Sequence, residues 1–305
     1  MTANPNQHQV ETGSFKPKKR GIRAFLTHQT LRRISQIGMA SFITYLIIRN
    51  YIVGENSAVT TTSPEAYCPF GGLETLYKYI TTETSFVSHT HLSNVVVLIA
   101  FLVVALFFRS AFCGWLCPLG FLQDLVSKFS GFLQKRVPGL RRAIASLMKK
   151  GARLAVLDRY LRYLKYLVLI WSVGGAAVFG YMVFRDFDPW SALIGIAEFS
   201  FTPGLIVLII TLLASFFIER PWCRYACPLG AVSGLLGKLS PTYLKRDAAV
   251  CTSCKLCTKT CPMGLKIHDV NTVKNLDCVT CLECVDVCPV NGALEVKIGL
   301  PIIGK

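Results

Sequence analysis

The feature that most constrains this 305-residue chain is a pair of cysteine runs near its C-terminus, Cys251-x-x-Cys254-x-x-Cys257-x-x-x-Cys261-Pro262 and Cys278-x-x-Cys281-x-x-Cys284-x-x-x-Cys288-Pro289. This is the bacterial spacing for 4Fe-4S ligation, written twice. The short gaps let three thiolates of one loop cap three irons of a cube, while the fourth cysteine, turned away by its proline, reaches the other cluster. The pattern predicts one cluster on Cys251, Cys254, Cys257 and Cys288, and a second on Cys278, Cys281, Cys284 and Cys261. Pairs of the CxxC type also build tetrahedral zinc sites, but zinc takes four ligands per ion and has no use for two complete runs each closed by Cys-Pro. Residues 241–305 are therefore expected to form a small α+β bacterial-type ferredoxin domain with two clusters. The thirteen cysteines do not read as a secreted disulfide scaffold, because eight of them fall in these two runs. Lys255, Lys259 and Lys266 lie among and just after the ligands of the first run and read as a solvated basic face, with tuning of potential or partner docking as the functional alternative.

Upstream the chain changes character. It is 52% hydrophobic overall, with a mean hydropathy of +0.46, too apolar for an ordinary soluble fold of this size. Four apolar stretches, at about 34–53, 92–108, 166–184 and 203–218, approach the length needed to cross roughly 30 Å of hydrocarbon as helices. Residues 109–165 carry twelve Lys or Arg against Asp124 and Asp158, whereas 54–91 and 185–202 carry only Lys78 and Arg185 against seven Asp or Glu. By the positive-inside rule the first segment belongs in the cytoplasm and the other two outside. The expectation is thus a membrane all-α domain over 34–240, a four-transmembrane-helix bundle in the cytoplasmic (inner) membrane with both termini cytoplasmic. Residues 1–33, with seven Lys or Arg and no signal-peptide pattern, read as a basic cytoplasmic tail. The net charge of +16 then reports topology, and nucleic-acid binding loses its support.

This apolar region repeats itself. Phe112-Cys113-Gly114-Trp115-Leu116-Cys117-Pro118-Leu119-Gly120 follows the second stretch, and Trp222-Cys223-Arg224-Tyr225-Ala226-Cys227-Pro228-Leu229-Gly230 follows the fourth. Two repeated helical hairpins are expected, each ending in CxxxCPLG. Cysteines four apart share a side if the helix continues through that turn. If the hairpins pack face to face, Cys113, Cys117, Cys223 and Cys227 converge, on a further iron-sulfur cluster, a soft metal such as Cu(I) or a redox-active dithiol. The plainer alternative is buried cysteine packing as a small hydrophobe. Cys68 stands alone, which suits a structural or partner-facing role. None of the histidines, His8, His28, His89, His91 and His268, lies in a predicted span, so a buried haem pair is not supported, while His89 and His91 could touch a quinone head group.

With two CxxxCP repeats beside a double four-cysteine run, the chain resembles the NapH/NosR type of membrane ferredoxin protein from about residue 34 to its end. The segment Cys68-Pro69-Phe70-Gly71-Gly72 sets it apart from NapH itself. The resemblance implies electron transfer between the quinone pool and a partner redox protein. The chain would act as an electron-transfer subunit of a quinol-linked membrane oxidoreductase in a respiratory complex, with quinone or quinol as redox substrate and other redox subunits as partners. An alternative from the same broad family is a maturation or metal-handling factor that uses the CxxxCP thiolates to reduce or deliver copper. No Gly-rich dinucleotide fingerprint, hydrolase elbow or P-loop is present, so the chain is not expected to oxidise NADH or hydrolyse nucleotide by itself.

Overall fold

A computed structural model describes residues 27–54, 71–72, 92–139, 142, 151–179, 183–195 and 202–299. Cys68, His8, His89 and His91 lie outside the described residues, as do most of the basic tail and of the segment 54–91.

The N-terminal part is helical: α1 (His28–Gly54), α2 (Leu92–Phe108), α3 (Ala111–Trp115), α4 (Pro118–Arg136), α5 (Gly151–Phe179), a 3-10 turn (Val183–Phe187), α6 (Pro189–Gly195), α7 (Pro203–Ser215), α8 (Pro221–Tyr225) and α9 (Pro228–Leu236). Proline opens α4, α7, α8 and α9, where its fixed φ suits a first turn and its missing N–H is not needed. The repeat read from the sequence is visible as two matching trios, α2-α3-α4 and α7-α8-α9. In each, a five-residue helix carries the first cysteine and a new helix starts just after the second. Cys117 (φ −65°, ψ 115°) and Cys227 (φ −71°, ψ 114°) are both extended, because a residue before proline is pushed out of the helical region. The helix does not continue between the paired cysteines, so the shared-face argument does not apply to them.

Among the described residues no helix is long and apolar enough to cross a membrane. This overturns the expected four-transmembrane-helix bundle and, with it, the four-span inner-membrane localisation. The physical reason differs by helix. The most apolar ones are short: α2 has 17 residues and α7 has 13, about 26 and 20 Å of helix against roughly 30 Å of hydrocarbon. The long ones carry charge: α1 holds Arg32, Arg33 and Arg49, and α5 holds Asp158, Arg159, Arg162 and Lys165. The stretch at 203–218 also outruns its helix, since α7 ends at Ser215. Large apolar side chains remain exposed along α2 and α7, among them Val96, Phe107, Ile206 and Leu213.

The C-terminal part contains a three-stranded antiparallel sheet in the order β2-β1-β3, from β1 (Thr242–Arg246), β2 (Thr272–Val273) and β3 (Leu294–Ile298). Leu244 faces Val273 on one side and Val296 on the other. Two single-turn helices, α10 (Leu256–Lys259) and α11 (Glu283–Asp286), follow the middle cysteines of the two runs. The core under this sheet joins Leu244, Met263, Ile267 and Val273 to Cys281 and Cys284, and it takes in Cys113 from α3, so the sheet domain and the helices share one apolar interior. The end of α2 is tied to the start of β1, where the Phe107 carbonyl accepts hydrogen bonds from Ser240 Oγ (2.8 Å) and Thr242 Oγ1 (2.7 Å).

Candidate functional site

Each cysteine run curls around its middle cysteine. The residues flanking it have left-handed backbones: Ser253 (φ 53°) and Lys255 (φ 61°) in the first run, Thr280 (φ 50°) and Leu282 (φ 58°) in the second. Cys251, Cys254 and Cys257 line one cavity together with Cys288 from the far end of the second run. Cys261 lies near enough to Cys278 and Cys284 for their charges to interact, and Cys281 couples to the same pair. Burial pushes the Cys281 thiol up to about 12 and raises Cys278 and Cys284 as well, while backbone N–H groups of Thr280 and Glu283 favour the thiolate at Cys278 and Cys281. Bare thiolates are disfavoured in such a site unless a cationic group binds them.

The donor set suits clusters better than single ions. Among the described residues no three His, Cys, Asp or Glu side chains stand close enough to hold one metal ion. A tetrahedral zinc with sulfurs at about 2.3 Å would draw them to roughly 3.8 Å from one another. A cube capped at separate iron corners takes thiols set wider apart.

The other four cysteines meet in a second cavity. Cys113, Cys117, Cys223 and Cys227 all line an empty space of about 990 Å³, part of it open to solvent. The two repeats cross over there: Gln123 Nε2 of the first donates to Cys223 Sγ of the second (3.7 Å), and Ser233 Oγ of the second lies 3.9 Å from Cys113 Sγ of the first. Gln123 follows Cys113, and Ser233 follows Cys223, at the same interval. Burial pushes Cys113 and Cys223 up to about 12 and Cys117 to about 11. Phe184 and Trp222 stack on one wall with ring centroids 6.3 Å apart. Trp190 Nε1, also at the wall, is buried and has no hydrogen-bond partner among the described residues.

The second run borders this cavity at Val279, with Asp277 just before that run and Met263 just after the first run also in the lining. Gly114 makes the approach possible: a Cβ there would meet the Val279 carbonyl oxygen at 2.3 Å. Trp115 Nε1 donates to the Thr280 carbonyl (3.0 Å), and from α1 Gln29 Nε2 donates to the Cys281 carbonyl (2.8 Å). Two carboxylates clamp the surroundings. Asp124 accepts Arg220 Nε and Nη2, both at 2.6 Å, and also Arg32; Arg220 is fully buried and its Nη1 donates to the Cys113 carbonyl at 2.9 Å. Burial raises the Asp124 carboxyl, but Arg220 and Arg32 outweigh it and hold it below the ordinary value. Asp277 accepts Arg162 Nη1 at 2.6 Å and the buried Lys165. Sequence reasoning missed Asp124, Arg220, Lys165 and Asp277. The available signal was that Asp124 is one of only two acids in the basic segment 109–165.

Comparison with known proteins matches both repeats to one family. The 4Fe-4S binding domain matches residues 90–137 and 200–246, and a 4Fe-4S dicluster domain matches 243–289. The chain is similar to YccM of Escherichia coli (30% identity, over 90% of this chain and 77% of YccM) and to the ferredoxin-type protein NapH of Haemophilus influenzae (29% identity, over 65% and 67%). It is also similar to the regulatory protein NosR of Pseudomonas aeruginosa, at 29% identity over 58% of this chain and 23% of NosR. No solved structure matches.

Proposed function

Because this chain belongs to the NapH/NosR-type ferredoxin family, we propose that it passes electrons between the quinone pool and a partner redox protein, as a component of a respiratory complex. That it is an iron-sulfur electron-transfer protein agrees with the name of YccM, which is that of an electron transport protein, and with the two matched 4Fe-4S families. The observation that carries the finer reading is the shared wall: the loop of the second run, at Val279, borders the same cavity in which the four CxxxCP thiols meet.

A quinol carries two electrons, and iron-sulfur centres take them one at a time, so a quinol site should abut a series of one-electron centres. The cavity has the aromatic walls of a small-molecule site. Trp190 Nε1, without a hydrogen-bond partner among the described residues, supplies a donor for a quinone oxygen. Cys251, Cys254, Cys257 and Cys288 would hold one 4Fe-4S cluster, and Cys261, Cys278, Cys281 and Cys284 the other. Cys113, Cys117, Cys223 and Cys227 would hold a further cluster between quinol and ferredoxin. Bound clusters supply reversible one-electron storage, and the protein's own part is to hold the thiols, exclude water and set the order of contact.

The test is anaerobic addition of a short-chain quinol to the purified protein, read by visible bleaching and EPR. Reduction of the clusters is expected. Clusters that stay oxidised with ubiquinol and menaquinol analogues alike, yet respond to dithionite, overturn the quinone reading.

A further inference from the structure

The two cysteine runs superimpose position by position in sequence, Cys254 on Cys281, Lys255 on Leu282, Leu256 on Glu283 and Lys259 on Asp286, yet they face different surroundings. The second run is covered. Cys281 is 8% exposed, and its two acidic neighbours are spent on the start of α1. Asp286 accepts His28 Nδ1 at 2.8 Å and the Gln29 backbone N–H at 3.0 Å, and Glu283 lies 3.5 Å from Arg32 Nη1. Acidic positions on that run thus bind a basic helix.

The corresponding stretch of the first run is open and carries basic residues instead of acidic ones, with Lys259 standing where the second run has Asp286. Cys254 is exposed, the single cysteine of the twelve described ones in that state. Lys255 and Lys259 are exposed beside it, and neither forms an ion pair among the described residues. Val250 (46%) and Leu256 (37%) expose apolar surface on the same loop. Arg246 lines the adjoining cavity, and the nearby acid Asp269 is already paired with His268 at 2.8 Å.

We infer that the face around Cys254, built from Val250, Lys255, Leu256 and Lys259, is the docking surface for an acidic one-electron carrier protein. The inference rests on the proposal that a partner redox protein exists, and it names that partner's chemistry and its side of approach. The first run is exposed at Cys254 and the second borders the cysteine cavity at Val279, so the two runs would carry electrons in series between cavity and carrier. Unpaired lysines around a small apolar centre steer an oppositely charged partner over about 10 Å at 0.1 M salt and raise its association rate at least about tenfold.

The experiment uses the full chain, purified anaerobically, with an acidic flavodoxin as probe and basic cytochrome c as the comparison. Association rates are measured from low to high salt for the natural protein, K255E/K259E and K255Q/K259Q, with iron content checked in each. The expected result is flavodoxin binding that slows about tenfold or more with salt and by a similar factor in the Glu pair, less in the Gln pair. Carbodiimide should cross-link flavodoxin carboxylates to Lys255 or Lys259. Unchanged association in both lysine pairs, cross-links confined to other lysines, or preferential binding of cytochrome c overturns the inference. If the Glu pair loses iron, the Gln pair decides by the same readings. Flavodoxin docking that survives while quinol fails to reduce the clusters would leave this inference standing and remove the quinone reading.

Discussion

At the scale of single residues, Asp124 is the most exposed to test, because two guanidiniums depend on it. Asp124→Asn would leave Arg220 charged and fully buried with its main partner gone, and breaking a buried pair in this way costs about 3–5 kcal/mol. Chemical denaturation of the variant, compared with the natural protein, should show a loss of that order. The same carboxyl predicts an acid response. Its folded pKa lies below the ordinary 3.8, so the stability it contributes is complete above that value and is lost as pH falls through the lower folded value. Denaturation midpoints should therefore begin to drop below about pH 4, and less so in Asp124→Asn. Of this, only the rarity of Asp124 as an acid in a basic segment was legible beforehand. The cysteine runs announce themselves because their ligands are close in sequence, whereas Arg32 and Arg220 reach Asp124 from distant segments and nothing in their local context marks them.

At the scale of elements, the approach of the second run to α3 depends on an absent side chain. Gly114→Ala would drive a methyl group into the Val279 carbonyl. The loop must shift, at a cost of about 1–3 kcal/mol. Hydrogen exchange should show faster opening of residues 278–284 in this variant, with the sheet β2-β1-β3 unaffected; unchanged protection there would mean that the contact carries no weight. Helix starts could be read in advance from Pro118, Pro203, Pro221 and Pro228, and so could the break inside CxxxCP, since a residue preceding proline avoids the helical region. Helix ends could not. Hydropathy counts apolar residues without asking where the backbone turns, so the stretch at 203–218 ran past the end of α7 at Ser215.

At the scale of the whole molecule, the prediction concerns what the two sets of cysteines hold. Replacing Cys113, Cys117, Cys223 and Cys227 together by Ser should leave about eight irons per chain, two cubes' worth, while the natural protein holds a clear excess. Equal iron in the two would mean that the CxxxCP thiols hold no cluster. Quinol reduction should be lost in the same variant and dithionite reduction kept. Identity and spacing of the thiols and the duplication of the CxxxCPLG unit were determined by the sequence alone, because each is written in short runs of adjacent residues. Which run is covered by α1 and which is left open, that both repeats empty their cysteines into one cavity, and that no described helix is long and apolar enough to cross a bilayer, were decided by the tertiary structure. These follow from contacts between distant segments and from where helices stop, quantities that no local pattern of residues contains.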